Sequence, residues 1–279
     1  MPSAMRQILR YLRPDRTVLT ERPDFDDDIS AQLFRVCPGS EVGCLTLHGI
    51  GGTPANVRAV ADALCREGYT VLSPALPGHR ETVGALNAST EAEWRECALL
   101  AYDRLVAAGC KRIYAFGLSL GGLLCTYLAE ETPLAGVGVI CAPFRMTKFL
   151  RIGRVVRKLV PFIRYPESKR EEPDDDAAPY RQMYDGFSLL KLQDLTLLEK
   201  RIIPRLSEIR CPILAISAEW DDKVDPVSFD ILKKGAVSAA SYERVHMAAS
   251  PHGCTYGPER DEVAARCVAF VKALEEKRS

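Results

Sequence analysis

A mostly parallel β-sheet covered by helices on both faces is the fold this chain predicts. Short apolar runs of strand length alternate with longer stretches of helical period. A serine between glycines, Gly117-Leu118-Ser119-Leu120-Gly121, stands where one such run turns into a helix. The 279 residues suit one large α/β domain with room for an inserted subdomain.

Along the chain, the first 41 residues form an extension that reads poorly, and Asp24-Phe25-Asp26-Asp27-Asp28 reads as a surface loop without the spacing of a calcium site. Cys44-Leu45-Thr46-Leu47 is apolar enough for a buried strand; 54–66 has a helical pattern, and Tyr69-Thr70-Val71-Leu72 is the next strand. Residues 91–107 repeat apolar positions near the 3.6 period, and Ile113-Tyr114-Ala115-Phe116 leads into the serine corner and its helix. Val137-Gly138-Val139-Ile140 is another strand. The rhythm resumes with Ile213-Leu214-Ala215-Ile216, a helix over 227–234, a strand over 241–246 and a closing helix over 260–275. This gives an α/β core of residues 1–142 and 208–279.

Residues 143–207 break the pattern and read as a small, mainly helical cap inserted after the sixth strand of the fold. Phe144 to Ile163 mixes apolar residues with Arg145, Lys148, Arg151, Arg154, Arg157 and Lys158. Its apolar face is expected to pack over the active site; the alternatives are an ordinary solvated basic helix and contact with a membrane surface. The acidic run 171–176 reads as a solvated loop, and 180–204 as helical again.

Equal numbers of basic and acidic residues, 37 each, speak against a nucleic-acid binder. No apolar run reaches the length of a membrane span, and 1–16 lacks the apolar core of a signal peptide, so the expected location is cytoplasmic. The ten cysteines include no C-x-x-C pair, which argues against zinc, and read as small buried hydrophobes in a reducing compartment. Cys254 is notable only for lying beside His252.

At a sharp strand-to-helix corner, a side chain on Gly117 or Gly121 would collide with neighbouring backbone, and Ser119 Oγ is pushed to the open end of the sheet. The plainer alternative is a helix-capping serine. A serine hydroxyl needs a base within hydrogen-bond reach, and that base needs an orienting carboxylate. Of the four histidines, His246 and His252 follow Ser119. His252 lies in a loop at a strand's C-terminal end, where groups of open α/β sheets collect, and is preferred to His246. Just past 213–216, Asp221 is preferred to Asp222, while Asp225 reads as the cap of the helix begun by Pro226. Leu120 N–H, and an N–H from the loop Leu47-His48-Gly49-Ile50-Gly51-Gly52-Thr53, Ile50 being chosen, would face a developing oxyanion. His48 reads as a support for that loop. A phosphate-binding loop fails for want of Gly-Lys-Ser/Thr or G-x-G-x-x-G.

From about residue 44 onward these stretches resemble the α/β-hydrolase superfamily, and within it the small bacterial carboxylesterases and monoacylglycerol lipases. The resemblance is carried by Leu47-His48-Gly49-Ile50-Gly51-Gly52, Gly68-Tyr69-Thr70-Val71, Pro77-Gly78-His79, Gly117-Leu118-Ser119-Leu120-Gly121-Gly122, Cys141-Ala142-Pro143 and Asp221 with Val224 and Pro226. It implies Ser119 as nucleophile, Asp221 as acid, His252 as base, and Ile50 and Leu120 as oxyanion donors, with neither metal nor organic cofactor. The implied substrates are short- or medium-chain esters or monoacylglycerols with an apolar acyl chain. A thioesterase or amidase would use the same groups, and a non-catalytic binding protein is the alternative of another class. The chain departs from the group in Ala218, in Arg80 after Pro-Gly-His, where glycine is common, and in a longer segment before residue 42.

Overall fold

The computed structural model describes residues 19–165 and 176–278. Seven strands form the main sheet in the order β1-β3-β2-β4-β5-β8-β9. They are β1 (Leu33–Arg35), β2 (Val42–Leu47), β3 (Thr70–Ser73), β4 (Arg112–Leu118), β5 (Gly136–Ile140), β8 (Ile213–Trp220) and β9 (Tyr242–Pro251). Only β1 runs antiparallel, against β3; every other pairing is parallel.

The central strands are buried along their whole length because helices cover both faces. Alternation divides their side chains between two cores. Leu45, Leu47, Ala115, Val137, Val139 and Ala215 point one way. Cys44, Tyr114, Phe116, Ile140, Leu214 and Ile216 point the other. Helices α1 (Arg58–Arg66) and α8 (Arg260–Glu276) close the second core through Val60, Leu64, Val263 and Phe270. The first core is closed by α3 (Glu91–Ala107), preceded by the short α2 (Val83–Ala88), and by α4 (Leu120–Glu131), through Trp94, Leu105, Leu124 and Leu128. Thr90 starts α3 as a capping box with Glu93, satisfying two backbone donors that a helix start leaves open.

Between β5 and β8 the chain leaves the sheet. This insert carries α5 (Lys148–Val156), β6 (Phe162–Arg164), β7 (Gly186–Ser188) and α6 (Leu192–Ile202), and α7 (Val227–Gly235) follows β8. Among the described residues it follows the fifth strand, not a sixth, because a single short strand, β1, precedes Val42. Among its described residues the insert is also less helical than expected. Residues 186–188 form an antiparallel pair with 162–164, a pairing across the acidic stretch that a helical period read along 180–204 cannot register. Most of the acidic run itself lies outside the described residues.

The second difference concerns α5. Leu150 and Gly153 face inward, but Phe149, Ile152, Val155 and Leu159 face solvent, so the expected apolar covering of the site reduces to one side chain of this helix. Near the N-terminus the aspartate run is not all loop. Asp27–Ser30 makes one helical turn, and Asp26 caps it by accepting from Asp28 N–H at 2.9 Å.

Candidate active site

Three strand ends build the site. At the end of β4 the chain turns directly into α4, and Ser119 occupies the corner at φ 56° and ψ −115°, a left-handed conformation costly for a residue with a Cβ. A Cβ on Gly117 would run into the Gly121 carbonyl, and one on Gly121 into the Leu47 carbonyl. The corner therefore closes only with glycine at both places, and it presents Ser119 to a cavity that is partly open to solvent. The capping alternative for Ser119 has no support, since its side chain makes no cap hydrogen bond.

The loop after β2 forms the facing wall. A Cβ on Gly49 would touch Ser119 Cβ at 3.4 Å, and both Gly49 and Ile50 line the cavity. His48 holds this loop from beneath. Its Nδ1 donates to Gly49 O at 2.9 Å, and its Nε2 accepts from Leu76 N–H at 3.1 Å. Burial pushes its pKa down to about 4, so it stays neutral and keeps one nitrogen as acceptor. Leu120, first residue of α4, has an N–H with no acceptor inside its helix.

Asp221 and His252 come from the ends of β8 and β9. The pairing of these strands runs out to Trp220 and Pro251, farther than 241–246 suggests, and sets both residues immediately past the sheet edge. His252 Nδ1 lies 2.9 Å from Asp221 Oδ2. Asp221 Oδ1 also accepts from Lys223 N–H at 2.8 Å and Val224 N–H at 3.0 Å. Burial raises the Asp221 carboxyl, but the His252 charge and hydrogen bond and the two backbone donors outweigh it, so its pKa falls below the ordinary value. His252 lines the same cavity as Ser119; the two share it without a direct hydrogen bond.

The rival residues are placed elsewhere. His246 faces solvent, bonded to Glu219 at 2.9 Å and Ser217 at 3.0 Å. Asp222 pairs with Lys223 at 2.8 Å. Asp225 accepts from Val227 N–H at 3.1 Å at the start of α7, as its position before Pro226 suggests.

Cys141 is the neighbour that sequence reasoning passed over. It stands just past β5 at φ 45°, fully buried, with Sγ 3.7 Å from Cys254 Sγ. The hydrogen bond with Cys254 and then burial hold its thiol far above the usual range, so it stays protonated beside Asp221. Donor atoms of Cys141, Asp221 and His252 lie within 4.8 Å of one another, the one such convergence among the described residues. A cysteine ending a β-strand carries no signal of this; only the adjacency of β5 to β8 creates it.

The insert supplies the apolar wall: Met146, Leu150, Tyr165, Met183, Phe187 and Leu195. An outer groove continues past Tyr165 and His252 and carries Arg181, Lys223 and Arg260 together with Asp176 and Asp222.

The model of the alpha/beta hydrolase family matches residues 44–266. A thermostable monoacylglycerol lipase of Bacillus sp. (strain H-257) is 30% identical over 230 residues, 82% of this chain and 90% of the relative. A carboxylesterase of Bacillus subtilis (strain 168) is 25% identical over 237 residues, 85% of this chain and 95% of that one. Among solved structures, one from the metagenome-derived lipolytic enzymes LipS and LipT superposes with a TM-score of 0.77 at 25% identity, covering 88% of this chain and 98% of the other.

Proposed function

From the premise that the chain belongs to the alpha/beta hydrolase family, we propose that it hydrolyses carboxylic esters through an acyl-enzyme on Ser119. The observation that carries this reading is a serine held in a strained corner, facing the same cavity as a histidine whose far nitrogen is bonded to a buried carboxylate. Ser119 Oγ attacks the ester carbonyl carbon while His252 Nε2 takes its proton. Asp221 keeps the proton of the imidazole on Nδ1 and offsets the charge that forms. General-base contacts are often long before substrate arrives and tighten in the complex, which suits the gap between Ser119 and His252. The N–H groups of Ile50 and Leu120 receive the oxyanion, a contribution of roughly 10²–10³ in rate for one donor. The alcohol leaves with the proton of His252; water then gives a proton to His252 and attacks the acyl carbon, and as the acid departs His252 returns that proton to Ser119 Oγ.

The substrates that suit the cavity are short- or medium-chain esters or monoacylglycerols, with the acyl chain against Met146, Leu150 and Phe187 and residues 143–207 acting as a cap. A second reading, an acyl thioester with an anionic leaving group, is favoured by Arg181, Lys223 and Arg260 in the outer groove. Asp176 and Asp222 stand in the same groove, and Lys223 is paired with Asp222, so the ester ranks first.

A fluorophosphonate probe and p-nitrophenyl esters of rising chain length test the reading. Wild-type protein should be labelled and should turn over these esters, and Ser119→Ala should do neither. Wild-type protein that is neither labelled nor active on any ester or acyl thioester would overturn it.

A further inference from the structure

The outward face of α5 is built opposite to a solvated helix. Phe149 is 69% exposed, Val155 75% and Leu159, just beyond the helix, 83%, with Ile152 and Val156 also uncovered. At 3.6 residues per turn these five fall within an arc of roughly 120°. Basic residues accompany the stripe. Arg154 is turned inward to Thr196 Oγ1 at 3.0 Å, and Arg157 donates to the Arg154 carbonyl, but Lys148, Arg151 and Lys158 project into solvent. No ion pair among the described residues engages these three. Leu150, on the opposite side of the same helix, lines the cavity that holds Ser119. An apolar row of this size is uncommon on a surface that meets only water.

We propose that α5 and its exit turn form a docking face for a lipid bilayer bearing anionic headgroups. The apolar row would sink to the acyl boundary, and Lys148, Arg151 and Lys158 would meet the headgroups beside it. A second copy of the chain suits this face less well. A two-fold contact through it would set the same three cations near their own copies. Docking places the cavity behind Leu150 next to the lipid layer, so an amphiphilic substrate reaches it without crossing water.

Flotation of the whole protein with vesicles tests the proposal. Vesicles of equal parts phosphatidylcholine and phosphatidylglycerol should carry the wild-type chain up the gradient, vesicles of phosphatidylcholine alone should carry at least tenfold less, and high salt should weaken the binding. Each exposed cation is worth roughly fivefold, so Arg151→Ser with Lys158→Ser should cost about 25-fold. Val155→Asp with Leu159→Asp should cost more than tenfold, and Phe149→Ser serves as a milder second probe. All these variants should keep wild-type turnover of soluble p-nitrophenyl butyrate, which shows that they fold. Ser119→Ala should float like wild type, so failure of docking and failure of the ester reading are separate results. Absence of binding to either vesicle, or binding unchanged in both double variants, would overturn the proposal. So would a wild-type dimer in sedimentation velocity that Val155→Asp with Leu159→Asp converts to monomer.

Discussion

The sheet wall and the insert wall of the cavity hold their side chains in different ways. On the sheet side, Ser119, Asp221 and His252 stand at the ends of β4, β8 and β9, and each is constrained by backbone or by a named hydrogen bond. On the insert side, one face of α5 is left in water, and Glu199 of α6 is half-buried, with its Oε1 shut away from solvent and lacking a hydrogen-bond partner. Rigid strand ends set the positions of groups that must act on one another within hydrogen-bond distance. On the proposed reading the insert has only to enclose an acyl chain, a task that van der Waals contact accomplishes with many arrangements.

The contrast breaks most sharply at the sheet wall. Ser119→Ala, or His252→Ala, should lower turnover by about a million-fold in p-nitrophenyl ester assays, with the thermal melt retained. Asp221→Asn should lower kcat by about 10⁴, since an amide no longer selects the tautomer or offsets the charge, whereas Asp222→Asn should leave it near wild type. Equal activity in the two asparagine variants would show that the sheet wall does not work as described. Cys141→Ala should cost less than tenfold in kcat/KM, because Asp221 keeps its two backbone donors when the thiol is removed.

On the insert side the expected effects are on stability. Burial raises the Glu199 carboxyl to about 8 against its ordinary 4.5, while Arg154 only partly opposes this. A carboxyl raised in the folded state contributes stability that is fully present below the unfolded value and lost as pH climbs through the folded one. The wild-type chain should therefore lose about 1–3 kcal/mol between pH 4.5 and 8 from this group. Glu199→Gln should remove that slope in thermal melts, raising Tm above pH 8 and changing little at pH 5.

The smallest effect concerns the loop after Pro77-Gly78-His79. Arg80 sits at φ 64°, where glycine is at ease, and its guanidinium bonds to Asp27 at 2.6 Å and Ser30 at 3.3 Å. Two departures noted in the sequence, Arg80 and the longer segment before residue 42, thus meet in one contact. Arg80→Gly relieves backbone strain and removes an ion pair whose acid partner is exposed, effects of opposite sign, so chemical denaturation should find a midpoint close to that of wild type.

Much of the sheet wall is legible along the chain because its demands are local. The serine corner is five consecutive residues, the loop that offers Ile50 follows one strand, and Asp221 and His252 each follow another. The choice of Asp221 over Asp222 rests on a register of one residue; Asp222 turns out to Lys223, and only the pairing of β8 with β9 brings Asp221 to His252. The insert is harder to read, since amphipathic spacing marks an apolar face without saying what lies opposite it. The same spacing that suggested a covering over the site describes a helix with Leu150 inward and Phe149 outward.

By itself the sequence determined the layered α/β plan, the position of the serine corner and the order in which Ser119, Asp221 and His252 follow one another. These follow from period, glycine placement and chain order, which are properties of neighbours. Tertiary structure alone decided that Cys141 stands beside Asp221, that Arg80 is tied to the N-terminal segment, that 162–164 pairs with 186–188, and which face of α5 meets solvent. Each depends on segments far apart in sequence arriving side by side, and no local pattern carries the information about what arrives.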